Sequence, residues 1–190
     1  LKKKDVWFVD GDRQQTATMA LSLRAAQKKN STTLACASYS DGNLLRSQVL
    51  LQRDHFDTIV IDVGGFDSST MRAALSICDI AIVPFQPRNF DVWGLAPLSK
   101  LLEEIKTMRG DIKAFAVMNC ADPSAKSADN ADAAQSLADF PILKPLDVKI
   151  CRRKAFANAS GFGLGVRELK VKDPKAVAEI DALIKAIWED

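Results

Sequence analysis

Six short apolar runs recur along this chain, each closed by polar or glycine residues and most separated by segments with helical spacing. They are Val6–Val9, Thr32–Ala37, Phe56–Val63, Ile80–Pro84, Lys113–Met118 and 141–146. Apolar residues spaced for one helix face fill the intervals, as at Ala17, Leu21 and Ala25, or at Leu95, Leu98, Leu101, Leu102 and Ile105. Alternation of this kind restricts the chain to a doubly wound α/β fold, a mostly parallel sheet with helices on both faces. The run Ile59-Val60-Ile61 is consecutive and β-branched, which predicts a strand buried on both faces. Helices are expected over about 14–29, from Asp41 through Leu51, over Ser68–Ile77, over Phe90–Arg109, ending near Phe140, and over 150–160. A last one is expected from Asp173-Pro174, with Val177, Ile180, Leu183, Ile184, Ile187 and Trp188 as its buried stripe. Gly110 should end the helix that precedes it.

In such sheets ligands bind beyond the carboxyl ends of the strands. The polar residues that close the strands are therefore the candidates for chemistry: Asp10 and Asp12, Asp62 followed by Gly64-Gly65, Pro84, and Asn119. An acid at the end of a hydrophobic strand can orient the hydration shell of Mg2+ beside the β- and γ-phosphates of a nucleotide. Two glycines directly after it let the backbone swing toward a phosphate. One carboxylate of the Asp10-x-Asp12 pair can polarise an attacking water, and the other can hold a metal-bound water or a nearby cation. A polar turn with Asp12 as a helix cap is the structural alternative, and the two roles are compatible.

Composition excludes some classes. The 190 residues, 47% hydrophobic and 26% charged, fit one globular domain, and no apolar run is long enough to span a bilayer. Four scattered cysteines and a single histidine, His55, make no zinc pattern. Reduced thiols are expected, and with them a cytoplasmic setting. The net charge of +2 is unevenly spread. Lys149, Arg152, Arg153, Lys154, Lys170 and Lys172 concentrate positive charge in the C-terminal third, where a polyanion or simply solvent could face it.

Six segments in order resemble the ParA/MinD family of deviant Walker ATPases, nearest to its short, ParF-like plasmid partition branch. Val6-Trp7-Phe8-Val9-Asp10-Gly11-Asp12-Arg13-Gln14 is similar to the family's hydrophobic-D-x-D-P-Q segment. Phe56–Gly65 resembles its Walker B strand, and Ala74-Leu75-x-x-Cys78-Asp79-x-x-Ile82-Val83-Pro84 its A-L-x-x-A-D-x-x-I-V-P segment. Asp91-x-x-Gly94-Leu95, Val117-Met118-Asn119 and Arg153-x-Ala155-Phe156-x-x-Ala159 resemble three further stretches. The resemblance implies an Mg2+-dependent ATPase that forms a homodimer on ATP. It implies non-specific DNA binding, hydrolysis stimulated by a centromere-binding or cargo adaptor protein, and a nucleoid-associated cytoplasmic location without a membrane.

By motif, Asp12 would position the attacking water and Asp62 would stand near Mg2+ through water. Asp10 would join the metal shell, Gly64 and Gly65 would face the nucleotide, and Asn119 would bind the adenine edge. Two departures stand out. Arg13 replaces the family's proline, and no G-x-x-x-x-G-K-[ST] occurs in the 190 residues. The phosphate loop, its strand and its helix are therefore expected before Leu1. The alternatives are a degenerate, non-catalytic ATPase-like subunit that only dimerises or binds a partner, a positioner of another cellular cargo, and a response-receiver-like module with Asp10, Asp12 and Asp62 as its acid pocket.

Overall fold

Strands form at or close to the apolar runs, and each strand is followed in sequence by a helix. The computed structural model describes residues 5–26, 34–64 and 67–189. The chain forms two compact units, one made of residues 1–78 and 160–164, the other of residues 79–159 and 165–190.

In the first unit the order is β1 (Val6–Asp10), α1 (Thr16–Ala26), β2 (Ala35–Ser38), α2 (Gly42–Gln52), β3 (Thr58–Asp62) and α3 (Ser69–Ile77). Its sheet is parallel with strand order β2-β1-β3. Val9 and Leu45 are fully buried at its core, and the ring of Trp7 stacks on Phe56 at 5.5 Å. Asp41 caps α2 by accepting from the Leu44 amide, and Ser68 caps α3 by accepting from Met71. Thr32 and Thr33 of the expected second strand lie outside the described residues, and that strand runs to Ser38.

In the second unit the order is β4 (Ile80–Phe85), α4 (Asn89–Trp93), α5 (Leu95–Arg109), β5 (Lys113–Ala121), α6 (Ala128–Ser136), β6 (Lys144–Cys151), α7 (Lys154–Ser160) and α8 (Pro174–Glu189). Its sheet is also parallel, ordered β4-β5-β6. Ala114, Phe115, Ala116 and Val117 of the central strand are all buried, as a strand covered on both faces requires. Gly110 ends α5 at φ 91°, a backbone angle that L-residues with side chains rarely adopt.

Several expectations are corrected. Among the described residues β3 pairs only with β1, at the edge of its sheet, and Val60 is 42% exposed rather than buried. β4 is likewise an edge strand, with Ile82 exposed. The expected helix over 90–109 divides at Gly94 into α4 and α5. The last strand is Lys144–Cys151, not 141–146, so Ile150 and Cys151 belong to the sheet and α7 starts only at Lys154. Trp188, placed by periodicity on the buried stripe of α8, is exposed, while Ile187 and Ala176 are buried.

Candidate functional site

The register of β1 and β3 sets Asp10 directly opposite Asp62, so two acid-terminated strands end side by side. The chain stays tied beyond the strands, because the Gly11 amide donates to the Asp62 carbonyl at 2.7 Å. Asp10 is completely buried. Its carboxylate accepts from the Asp12 amide at 3.1 Å and from the amide and hydroxyl of Thr18 at 2.9 and 2.7 Å. The family resemblance places Asp10 in a metal shell. In the structure its buried carboxylate holds α1 and the turn carrying Asp12.

Asp12 is half-buried. Its carboxylate accepts from the Gln14 amide at 3.0 Å, an Asx-type turn, and Gln15 follows with φ 53° before α1 begins. Asp12 does not cap α1, which begins only at Thr16; one of its carboxylate oxygens instead closes the turn that precedes the helix. Gly64 passes against the other side of the same group: a Cβ on Gly64 would lie 2.4 Å from the Asp12 carboxylate. Any side chain at Gly64 would force the Asp12 carboxylate to move. Gly65 lies outside the described residues.

Burial raises the pKa of Asp62 above the ordinary carboxyl value, and the carboxylates of Asp10 and Asp12 raise it further. A cation placed near the ends of β1 and β3 would therefore favour the charged form of Asp62. Among the described residues no group of three His, Cys, Asp or Glu side chains is arranged to hold a metal ion by itself. Mg2+ held through water and phosphate oxygens needs no such cage. The exposed Asp62 and the close passage of Gly64 fit an Mg2+-nucleotide on these grounds. The hydroxyl of Ser38, opposite Asp10 in the register of β1 and β2, is buried with no partner among the described residues.

Three hydroxyl residues at this site escape sequence reasoning. Thr18 holds Asp10. Thr70, 3% exposed, donates to the Gly11 carbonyl at 2.9 Å, and Ser68 contacts Thr70 at 3.0 Å. The only sequence signal is the Ser at a helix start, which marks Ser68 as a cap and nothing more.

Asn119 and the basic residues belong to the second unit. The sequence predicts that Asn119 ends its strand, but β5 continues to Ala121 through a register irregularity. Cys120 sits there at φ 51°, and its amide donates to the Asn119 side-chain carbonyl at 2.9 Å. One oxygen of Asn119 is thereby engaged locally, which leaves its amide group as donor.

The basic residues are spread over several elements. Lys149 is half-buried on β6, Arg152 follows the strand, and Lys154 opens α7. Arg153 is held by Glu179 of α8, with its Nη2 at 2.6 Å and its Nε at 3.0 Å from the same oxygen. Both side chains are only 16% exposed. Arg153, in the link between β6 and α7, is thus clamped to α8 through this largely buried ion pair. Lys170 and Lys172 are exposed.

No protein-family model and no curated protein matches the sequence. Solved structures do match. McdA of Cyanothece in its apo form is 15% identical, with a TM-score of 0.78 over 98% of this chain and 88% of that one. A putative plasmid partition protein of Borrelia burgdorferi B31, bound to AMPPNP, is 15% identical, with a TM-score of 0.75 over 99% and 88%. The septum site-determining protein MinD of Pyrococcus horikoshii, complexed with Mg-ADP, is 14% identical, with a TM-score of 0.67 over 98% and 84%. The fold of the chain is that of the ParA/MinD ATPases.

Proposed function

We propose that the protein is a ParA/MinD-type partition or positioning ATPase. The observation that carries the reading is the meeting of Asp12, Asp62 and the Gly64 backbone at the adjacent ends of β1 and β3. Two of its fold relatives, one bound to AMPPNP and one complexed with Mg-ADP, support nucleotide as the ligand.

Asp12 is already fixed by its turn, so its remaining oxygen lone pairs are available to orient a water for in-line attack on a γ-phosphate. Asp62 would hold a water of the Mg2+ shell, and bound Mg2+ would neutralise charge on the β- and γ-oxygens. Gly64, with Gly65 beside it in sequence, would follow the γ-phosphate with its backbone. Asn119 would donate from its side-chain amide to an acceptor on the adenine edge.

Among the described residues β3 and β4 each pair on one side, and the other side of each is suited to accept a further strand. A strand leading into a phosphate loop, in a segment outside the 190 residues, is the occupant this reading requires. ATP would then join two copies of the protein. The dimer would bind DNA through its phosphates and release it when a centromere-binding or cargo adaptor protein stimulates hydrolysis. The alternative is a non-catalytic subunit of the same fold, which would dimerise without binding ATP.

The test is ATP binding and turnover by the full-length protein with Mg2+. Asp12→Ala should leave ATP affinity within about twofold and lower turnover by about 100-fold or more, the scale of a lost water-activating group. Wild-type turnover in that variant would refute the role of Asp12. Dimerisation without any ATP binding by the wild type would favour the non-catalytic reading.

A further inference from the structure

Two loops meet the Asp12 carboxylate: its own, and the one after β3 that carries Gly64. They are joined by hydroxyls as well as by close approach. Thr70 Oγ1 donates to the Gly11 carbonyl at 2.9 Å. Ser68 Oγ lies 3.0 Å from Thr70 Oγ1 and 3.4 Å from the Gly64 carbonyl, and it accepts from the Met71 amide at 3.1 Å.

Proton counting makes this arrangement a selector. A hydroxyl has one proton to donate. Thr70 commits its proton to Gly11. Ser68 can give its own either to Thr70 or to the Gly64 carbonyl, but not fully to both. If Gly64 turns its carbonyl closer, Ser68 donates there and Thr70 loses the donor that polarises it. If Gly64 moves away, Ser68 donates to Thr70 and strengthens its grip on Gly11. Gly11 is the residue immediately before Asp12, so the grip acts on the chain that sets the Asp12 carboxylate.

We propose that Ser68 and Thr70 form a hydroxyl relay that couples the position of the Gly64 loop to that of Asp12, with Thr70 as a positioning residue for the hydrolytic step. This rests on the ATPase reading for its consequence, though not for its geometry. Movement of the Gly64 loop toward a γ-phosphate would register at Asp12, and the water would be oriented only when that loop has arrived.

The experiment compares full-length wild type with Thr70→Val, which keeps the buried shape but removes the hydroxyl, and Thr70→Ser, which restores it. Amide hydrogen exchange is measured without nucleotide, and ATP turnover is measured with Mg2+. Thr70→Val should speed exchange over residues 10–15 by about tenfold, with α2 unaffected. It should lower kcat by about tenfold with KM changed by less than about twofold. Thr70→Ser should return both toward wild type.

Wild-type exchange over residues 10–15 in Thr70→Val would overturn the relay. So would equal loosening of the whole unit that serine does not rescue, since that marks plain packing. If Thr70→Val does not fold, Ser68→Ala decides. It should loosen residues 10–15 as well as the first turn of α3, and loosening of α3 alone overturns the proposal. An exchange response in a protein that hydrolyses no ATP would uphold the tether and reject the ATPase reading.

Discussion

Asp62 is the residue where folding and the proposed chemistry pull in opposite directions. Burial and the neighbouring Asp10 and Asp12 raise its pKa above 3.8, so the folded chain holds its proton more tightly than the unfolded chain does. The folded state therefore loses stability as pH rises from 3.8 through the raised value, and the loss stays in full above it. Asp62→Asn removes the charge and should stabilise the ligand-free protein at neutral pH. The gain should be no more than about 0.5 kcal/mol, because the group is exposed enough for solvent to screen it. It should vanish in acid, where Asp62 is protonated anyway. The same variant should bind Mg2+-ATP more weakly. Thermal melts at neutral and acidic pH, with and without Mg2+-ATP, test both halves; a destabilised ligand-free variant at neutral pH would contradict the argument. The three acids were legible in the sequence because each closes or follows an apolar run. The burial of Asp10 was not, since it depends on Thr18 reaching back from α1. Thr70 was equally hidden: a threonine in the first turn of a helix announces no partner at a residue 59 positions away.

At the scale of elements, periodicity located most strands and helices but misplaced the boundary at β6. Cys151-Arg152-Arg153-Lys154 reads as the start of a basic helix. Yet Cys151 still pairs with β5, opposite Ala121, and the strand passes its last amide to Glu179 of α8 at 3.1 Å. Glu179 is a tertiary partner, invisible to local pattern. Burial pushes its carboxyl up, but hydrogen bonds from Arg153 and Cys151 outweigh that and hold it below its ordinary value of 4.5. The stability this contributes is present above 4.5 and is lost as pH falls through the lowered value. Glu179→Gln should destabilise the protein by about 2 kcal/mol at neutral pH, because it leaves Arg153 half-enclosed without its counter-charge. The gap between variant and wild type should close as pH falls below 4.5. Chemical denaturation across that range checks the sign, and a gap that widens in acid would rule the clamp out. The edge character of β3 was also beyond local reading. Three consecutive β-branched residues describe a strand suited to neighbours on both sides, and the described chain supplies one.

For the whole molecule, a net charge of +2 gives little attraction for a polyanion, so DNA binding must come from where the cations stand. Arg153 is spent on Glu179, and Arg167 is paired with Asp181. Lys149 is half-buried. Lys154, Lys170 and Lys172 are exposed, and so is Arg152, whose guanidinium lies a long 3.4 Å from Gln86. We propose that the three lysines bind the phosphates of duplex DNA, and that ATP-linked pairing of two copies doubles their number. Replacing Lys154, Lys170 and Lys172 with alanine should weaken binding alike for every DNA sequence and flatten the dependence of log K on log salt. The slope should fall by about one for each phosphate that is no longer neutralised. ATP affinity should not change. Arg153→Ala should behave differently: it should lower stability, but the salt slope should stay at the wild-type value while the protein is folded. The measurement is a titration of duplex DNA with full-length protein and a non-hydrolysable ATP analogue at several salt concentrations. If the triple lysine variant keeps the wild-type slope, the lysines are a solvated face. If Arg153→Ala flattens the slope, the clamp opens in the complex and Arg153 returns to the DNA-binding set.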